Sequence, residues 1–146
     1  LAQGGAIAVA VEPLRAFPAM EAAVALAPRP VRADDFRLLH KTSLRAFYDA
    51  ARAIGGGDEV VFFDDAGYVT EGSFTNVFAP RNGVLLTPPA SRGLLQGVLR
   101  AELLADGRAI EADLRKEDLA QGFMLGNSVR GLTPARLCAD ALAQAS

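Results

Sequence analysis

The sequence predicts a mixed α+β domain, and three observations predict it. The apolar period changes along the chain: Leu44, Phe47, Tyr48, Ala51 and Ile54 share one face of a 3.6-residue repeat, whereas Val60-Val61-Phe62-Phe63 is a continuous β-type run. Two hairpin signals follow, Asp64-Asp65-Ala66-Gly67 and Asn82-Gly83. Strands and helices do not alternate as βαβ units, which argues against a doubly wound parallel sheet. The 146 residues fit one domain with a real core and are too few for two ordinary ones.

Taken in order, Ala6-Ile7-Ala8-Val9-Ala10-Val11 reads as a short buried strand stopped by Pro13. Ala22 to Ala27 is a second, bounded by Pro28 and Pro30. The Leu44–Ile54 helix ends at Gly55-Gly56-Gly57, since glycine readily takes the left-handed conformation of a helix C-terminus. Val60–Phe63 then pairs with Tyr68-Val69-Thr70 across the first turn. Thr75–Ala79 and Val84–Leu86 pair across the second, and Thr87-Pro88-Pro89 breaks the sheet. An amphipathic helix runs from about Val98 to Leu104 and closes at Asp106-Gly107. A strand near Ala109–Ala112, a short helix around Lys116–Ala120, and a last buried strand Phe123-Met124-Leu125 complete the order.

Composition narrows the function. A net charge of −2 argues against a nucleic-acid surface, which needs clustered excess Lys and Arg. No apolar run reaches the roughly 20 residues of a membrane-spanning helix. Cys138 and His40 are the only residues of their types, which leaves no intrachain disulfide, no cysteine zinc site and no polyhistidine metal site. A cytoplasmic setting is therefore expected. The chain begins at Leu1 rather than Met, without the basic start of a signal peptide. Only Lys41 and Lys116 stand against thirteen arginines, so each lysine invites inspection.

Lys41 lies between His40 and Thr42, just before a helix. On a partly buried edge its amine would lose solvation and become a nucleophile able to form a Schiff base. The alternative is a surface lysine whose stem lies along the helix. Glu71 ends a strand before Gly72; it could face a cationic ring nitrogen in a dry cleft, or be a solvated hairpin carboxylate. Gly97-Val98-Leu99 opens a helix whose unpaired amides could receive a phosphate, although many such starts bind nothing. Asn127-Ser128 could add polar donors or simply form a turn.

Together these residues name the parts of one cofactor site. His40-Lys41-Thr42, Val69-Thr70-Glu71-Gly72-Ser73-Phe74-Thr75-Asn76-Val77-Phe78, Leu86-Thr87-Pro88-Pro89, Gly93-Leu94-Leu95-Gln96-Gly97-Val98-Leu99-Arg100 and Leu125-Gly126-Asn127-Ser128 stand in an order and spacing that resemble the fold-type IV pyridoxal 5'-phosphate (PLP) enzymes, the class IV aminotransferase family. The likeness runs from about Arg32 to Leu137. It implies that residues 1–146 are the larger, C-terminal, cofactor-binding domain of the D-amino-acid aminotransferase-like fold, a mixed sheet or pseudo-barrel with flanking helices. It implies that Lys41 carries the cofactor and moves the proton. Glu71 would meet the pyridine nitrogen, Val98 and Leu99 the phosphate, and Asn127 or Ser128 a further phosphate or substrate contact.

Within the family, branched-chain and D-amino-acid aminotransferases carry a tyrosine five residues after the lysine. Here that position is Ala46, with Arg45 and Tyr48 nearby but out of place. His-Lys-Thr, the Thr87–Arg100 block and Gly126-Asn127-Ser128-Val129-Arg130-Gly131-Leu132 look instead like aminodeoxychorismate lyases, above all the lyase-like part fused behind p-aminobenzoate synthase component I. That likeness implies a small-molecule substrate, 4-amino-4-deoxychorismate, and release of pyruvate and p-aminobenzoate for folate synthesis. Arg130 is then the candidate for a substrate carboxylate, because guanidinium binds carboxylate bidentately. An aminotransferase for branched-chain or D-amino acids is the runner-up, and a non-catalytic dimerisation or fusion domain the third reading. Family members are usually homodimers, and their smaller N-terminal domain has no counterpart in these residues. The expectation is that the chain alone binds PLP weakly and shows little lyase activity.

Overall fold

The computed structural model describes residues 5, 7, 9–11, 13, 14, 16–18 and 20–139. Its elements in order are β1 (Ala22–Pro28), α1 (Phe36–Leu39), α2 (Ala46–Gly55), β2 (Glu59–Phe63), β3 (Val69–Gly72), β4 (Asn76–Arg81) and β5 (Val84–Thr87). There follow α3 (Val98–Ala105), β6 (Ala109–Glu111), β7 (Phe123–Asn127) and β8 (Gly131–Leu137), with 3-10 turns at Ala90–Arg92 and Lys116–Leu119. The strands form one mixed sheet in the order β3-β2-β1-β8-β7-β4-β5-β6. Parallel pairs join β1 to β2, β1 to β8 and β5 to β6; the others are antiparallel.

The sheet curls until its ends meet. Beyond β6 the chain passes β3, where Val69 N–H donates to Leu114 O at 2.8 Å and Tyr68 bridges Arg115. The Tyr68 ring is stacked between the guanidinium groups of Arg92 and Arg115, at 3.7 and 4.1 Å from its centroid. Arg92 also pairs with Asp64 and Asp113, tying the first hairpin to the segment after β6.

Three packed regions account for the apolar runs. Inside the curl lie Val24, Val61, Val69, Val77, Leu119, Phe123 and Leu125. Outside it, α2 and Leu38 cover Ala25, Val60 and Phe62, while α3 covers Phe78 and Ala109 through Leu103. Val61 thus faces the inside of the curl while Val60 and Phe62 face α2. A strand covered on both faces reads as an unbroken apolar run, as Val60–Phe63 does.

Four sequence expectations need correction. Ile7, Val9 and Val11 are exposed and in no strand, while Ala6 and Ala8 lie outside the described residues. The free side of β3 is taken instead by the segment after β6, through Tyr68 and Val69. Leu44 and Ile54 are exposed, and the helix starts only at Ala46; Phe47, Tyr48 and Ala51 make its packed face. Lys116–Leu119 is a 3-10 turn, fixed by reciprocal bonds between Arg115 and Asp118. Finally, Phe123–Leu125 is not the last strand: β8 follows and lies between β7 and β1. Pro134 disguised it, since proline opposes a central strand. Pairing with β1 begins only at Ala135, however, so Pro134 has a single neighbour, Met124 on β7.

Candidate functional site

A cavity of about 540 Å³ opens where four connections converge: the α1–α2 loop, the β3–β4 link, the start of α3 and the β7–β8 turn. Lys41, Glu71, Val98, Asn127, Ser128 and Arg130 all line it. Leu99 does not, because its side chain packs in the α3 core and touches the space beside Gly126.

Lys41 sits on the loop that leaves α1. Asp35 caps that short helix through Arg37 N–H, and His40 N–H closes it on Phe36 O. Lys41 itself is exposed at the cavity wall, the more open of the two settings that its sequence allowed. The short α1 turn and the delayed start of α2 leave the loop on the surface.

Glu71 is the opposite case, 5% exposed on the edge strand β3. Its Oε1 accepts the Tyr48 hydroxyl at 2.5 Å and its Oε2 accepts Leu95 N–H at 2.9 Å. Burial pushes its carboxyl up to about 7, and the two donors act in the other direction. The same burial and the neighbouring Glu71 charge push the Tyr48 phenol up.

Behind Glu71 lies a second carboxylate, Glu59, with no exposed surface. Glu59 Oε1 accepts from Val60 N–H, Ser73 N–H and Ser73 Oγ, and Oε2 from Phe74 N–H and Thr75 Oγ1. These bonds fold the Ser73–Thr75 link against β2. Burial raises the Glu59 carboxyl above its ordinary value. Gly72 is required there: a Cβ would collide with Thr75 Oγ1 and press on Glu59 Oε2 at 3.1 Å.

The start of α3 is fixed in the same manner. Asn76 Nδ2 donates to Leu95 O at 2.8 Å, and a Cβ on Gly97 would collide with Asn76 Oδ1. The first intrahelical bond is Ala101 N–H to Gly97 O, so the amides of Val98, Leu99 and Arg100 precede it. Asn127 is committed to its own turn: Oδ1 accepts Val129 and Arg130 N–H at 3.0 Å each, and Nδ2 donates to Phe74 O. Its amide therefore shapes the site, while Ser128 is exposed at the cavity. Arg130 lies over the rings of Phe17 and Phe74, at 5.5 and 5.4 Å from their centroids.

Sequence reasoning missed Tyr48 and Glu59 as parts of this site. Tyr48 stands seven residues after Lys41, in the first turn of α2 on its packed face, and nothing local marked it as part of a site. Glu59 is a lone carboxylate opening an apolar run, a hint that it is buried with the strand. Among the described residues no group of three or more His, Cys, Asp or Glu could hold a metal ion, and no helix is long and apolar enough to cross a membrane.

Comparison with known proteins agrees with the geometry. The profile of class IV aminotransferases (Amino-transferase class IV) matches residues 2–138. A Schizosaccharomyces pombe protein named "Putative aminodeoxychorismate lyase" is 39% identical over 77 residues, 49% of this chain and 33% of that protein. A Mesorhizobium loti crystal structure of a "Putative amino-acid aminotransferase" superposes with TM-score 0.77 at 42% identity, over 87% of this chain and 65% of that one. The PLP-bound form of a hypothetical aminotransferase from Mycobacterium tuberculosis gives TM-score 0.68 at 26% identity, over 80% and 47% of the two chains. The chain thus spans about a third of the length of the curated relative and under two thirds of either structure.

Proposed function

The chain belongs to the class IV aminotransferase family, and we propose that it carries the cofactor half of a PLP-dependent 4-amino-4-deoxychorismate lyase. The observation that carries this reading is one cavity bringing together an exposed lysine amine, a buried carboxylate and the first amides of a helix. That donor set fits PLP. Lys41 Nζ would hold its aldehyde carbon, Glu71 would face its ring nitrogen, and the amides of Val98 and Leu99 with Ser128 would receive its phosphate. When bound, the cofactor draws electrons from the carbon that bears the substrate amine.

The chain's own residues then have separate tasks. Lys41 Nζ, as a free amine, would take the proton from the substrate ring. Glu71, as the anion, would face the cofactor nitrogen and favour its protonated form. Arg130 receives a substrate carboxylate, with Phe74 holding its guanidinium plane. The net change balances: a C–O bond to the enolpyruvyl group breaks, the ring becomes aromatic, and the departing enolpyruvate gains a proton to become pyruvate.

Two features support a lyase. The aminotransferases' tyrosine position is occupied by Ala46, and the S. pombe relative bears a lyase name. A second reading, an amino-acid aminotransferase, is favoured by the 42% identity to the M. loti structure. Assaying the protein that carries this chain for pyruvate release from 4-amino-4-deoxychorismate, and for amino transfer to 2-oxoglutarate, separates them. Pyruvate release alone upholds the lyase reading; glutamate formation alone replaces it.

A further inference from the structure

We propose that Tyr48 is the positioning residue of the carboxylate at this site: its hydroxyl, donating to Glu71 Oε1, fixes the orientation in which Glu71 meets a cationic ring nitrogen. The inference rests on the PLP reading for what Glu71 meets, and on geometry for the rest.

Glu71 is clamped from two sides. The Leu95 N–H on the loop before α3 takes one oxygen at 2.9 Å, and Tyr48 from α2 takes the other at 2.5 Å. Tyr48 has little freedom to leave: it is 8% exposed, and its ring packs on Phe47 at 4.1 Å and Phe62 at 5.5 Å between centroids. The hydroxyl alone reaches the carboxylate, and the ring is ordinary core. Ala46, by contrast, stands exposed at the helix start and cannot hold any group of the site. Because α2 begins five residues beyond Lys41, this bond also couples the lysine-bearing loop to β3.

A hydrogen bond donated to a carboxylate favours its charged form, and it does so most where water is excluded. The surrounding charges are few. Arg45 and Tyr48 approach from α2, Arg37 from α1, Glu59 from β2 and Arg29 from beyond β1. Arg29 and Tyr48 favour the Glu71 anion, and Glu59 opposes it. Arg29 is engaged elsewhere, on Val31 O and Arg92 O, which leaves Tyr48 as the side chain in direct contact. Removing its hydroxyl leaves Glu71 facing an apolar ring on one oxygen.

The test is a carbon-13 NMR titration of the glutamate carboxyls of the full chain without cofactor, with the Glu71 signal assigned by its loss in Glu71→Gln. Tyr48→Phe, which keeps the packed ring, is expected to raise the Glu71 midpoint by about one pH unit or more, a tenfold change in its ionisation constant. Replacing both tyrosines of the chain by 3-fluorotyrosine, a stronger donor of the same shape, is expected to lower it. Phe47→Leu disturbs packing alone and is expected to leave it in place. An unmoved midpoint in Tyr48→Phe, or an equal shift in Phe47→Leu, would overturn the proposal; the fluorotyrosine protein keeps it testable should Tyr48→Phe fail to fold. A parallel PLP titration of the protein that carries this chain is expected to show about tenfold weaker binding in Tyr48→Phe. If wild type takes up no PLP while the NMR midpoints move as stated, Tyr48 still positions Glu71 and the cofactor reading is what falls.

Discussion

Glu71 shows how burial and hydrogen bonding divide control of one carboxyl. Its midpoint in the fold is about 7 against an ordinary value of 4.5. A group raised by folding contributes stability that is complete below its unfolded value and is lost as pH rises through its folded one. Stability should therefore fall between about pH 4.5 and 7, with Glu71 contributing on the order of 3 kcal/mol of that fall. Glu59, raised in the same direction, adds to it. Asp35, held down to about 2 by Arg37, acts oppositely, and its contribution disappears as pH drops from 3.8 toward 2. Urea unfolding across this range should place the maximum near pH 4–5, and Glu71→Gln should flatten the upper limb; an upper limb of the same slope in that variant would refute the assignment. Glu59→Ala would strand five donors, Val60 N–H and four on the Ser73–Thr75 link, costing roughly 3 kcal/mol, while Glu59→Gln keeps part of the network and costs less. Arg130→Ala should raise the substrate KM about tenfold through loss of a carboxylate contact. Unchanged KM and kcat would remove Arg130 from the site. That Lys41, Glu71 and Arg130 line one cavity agrees with their selection from local motifs, where their types stood out. Tyr48 and Glu59 were not legible in this way, since each acts on a residue far along the chain that only the curled sheet brings near.

At the scale of elements, the strands that spoke clearly were those with local partners. The β2–β3 and β4–β5 hairpins carry their turn signals between them, and α2 ends where Gly56 takes a φ of 70°. β8 was hidden although it forms a hairpin with β7, because Pro134 interrupts its run and its other partner, β1, is set by sheet order. The same logic locates stability. Phe62 bridges β2 and the packed face of α2 with no exposed surface, so Phe62→Ala should cost about 3–5 kcal/mol and loosen the helix that carries Tyr48. Thermal unfolding reads the cost; hydrogen exchange of α2 amides reads the loosening, and α2 protection equal to wild type would contradict this packing account.

At the scale of the molecule, the closing contact between β3 and the segment after β6 shapes the curl, and the curl gathers four connections around one cavity. Composition suggested a single domain, but the convergence of those connections could not be read from it. The proposed function depends on that convergence, because neither the Lys41 loop nor the Glu71 strand makes a site alone. The most direct measurement is pyruvate formation from 4-amino-4-deoxychorismate, with PLP present, by the protein that carries this chain and by its Lys41→Ala variant. The account predicts pyruvate and p-aminobenzoate in equal amounts from wild type, and a roughly hundred- to ten-thousandfold slower rate from the variant. Amino transfer without pyruvate, or release unaffected by Lys41→Ala, would contradict it.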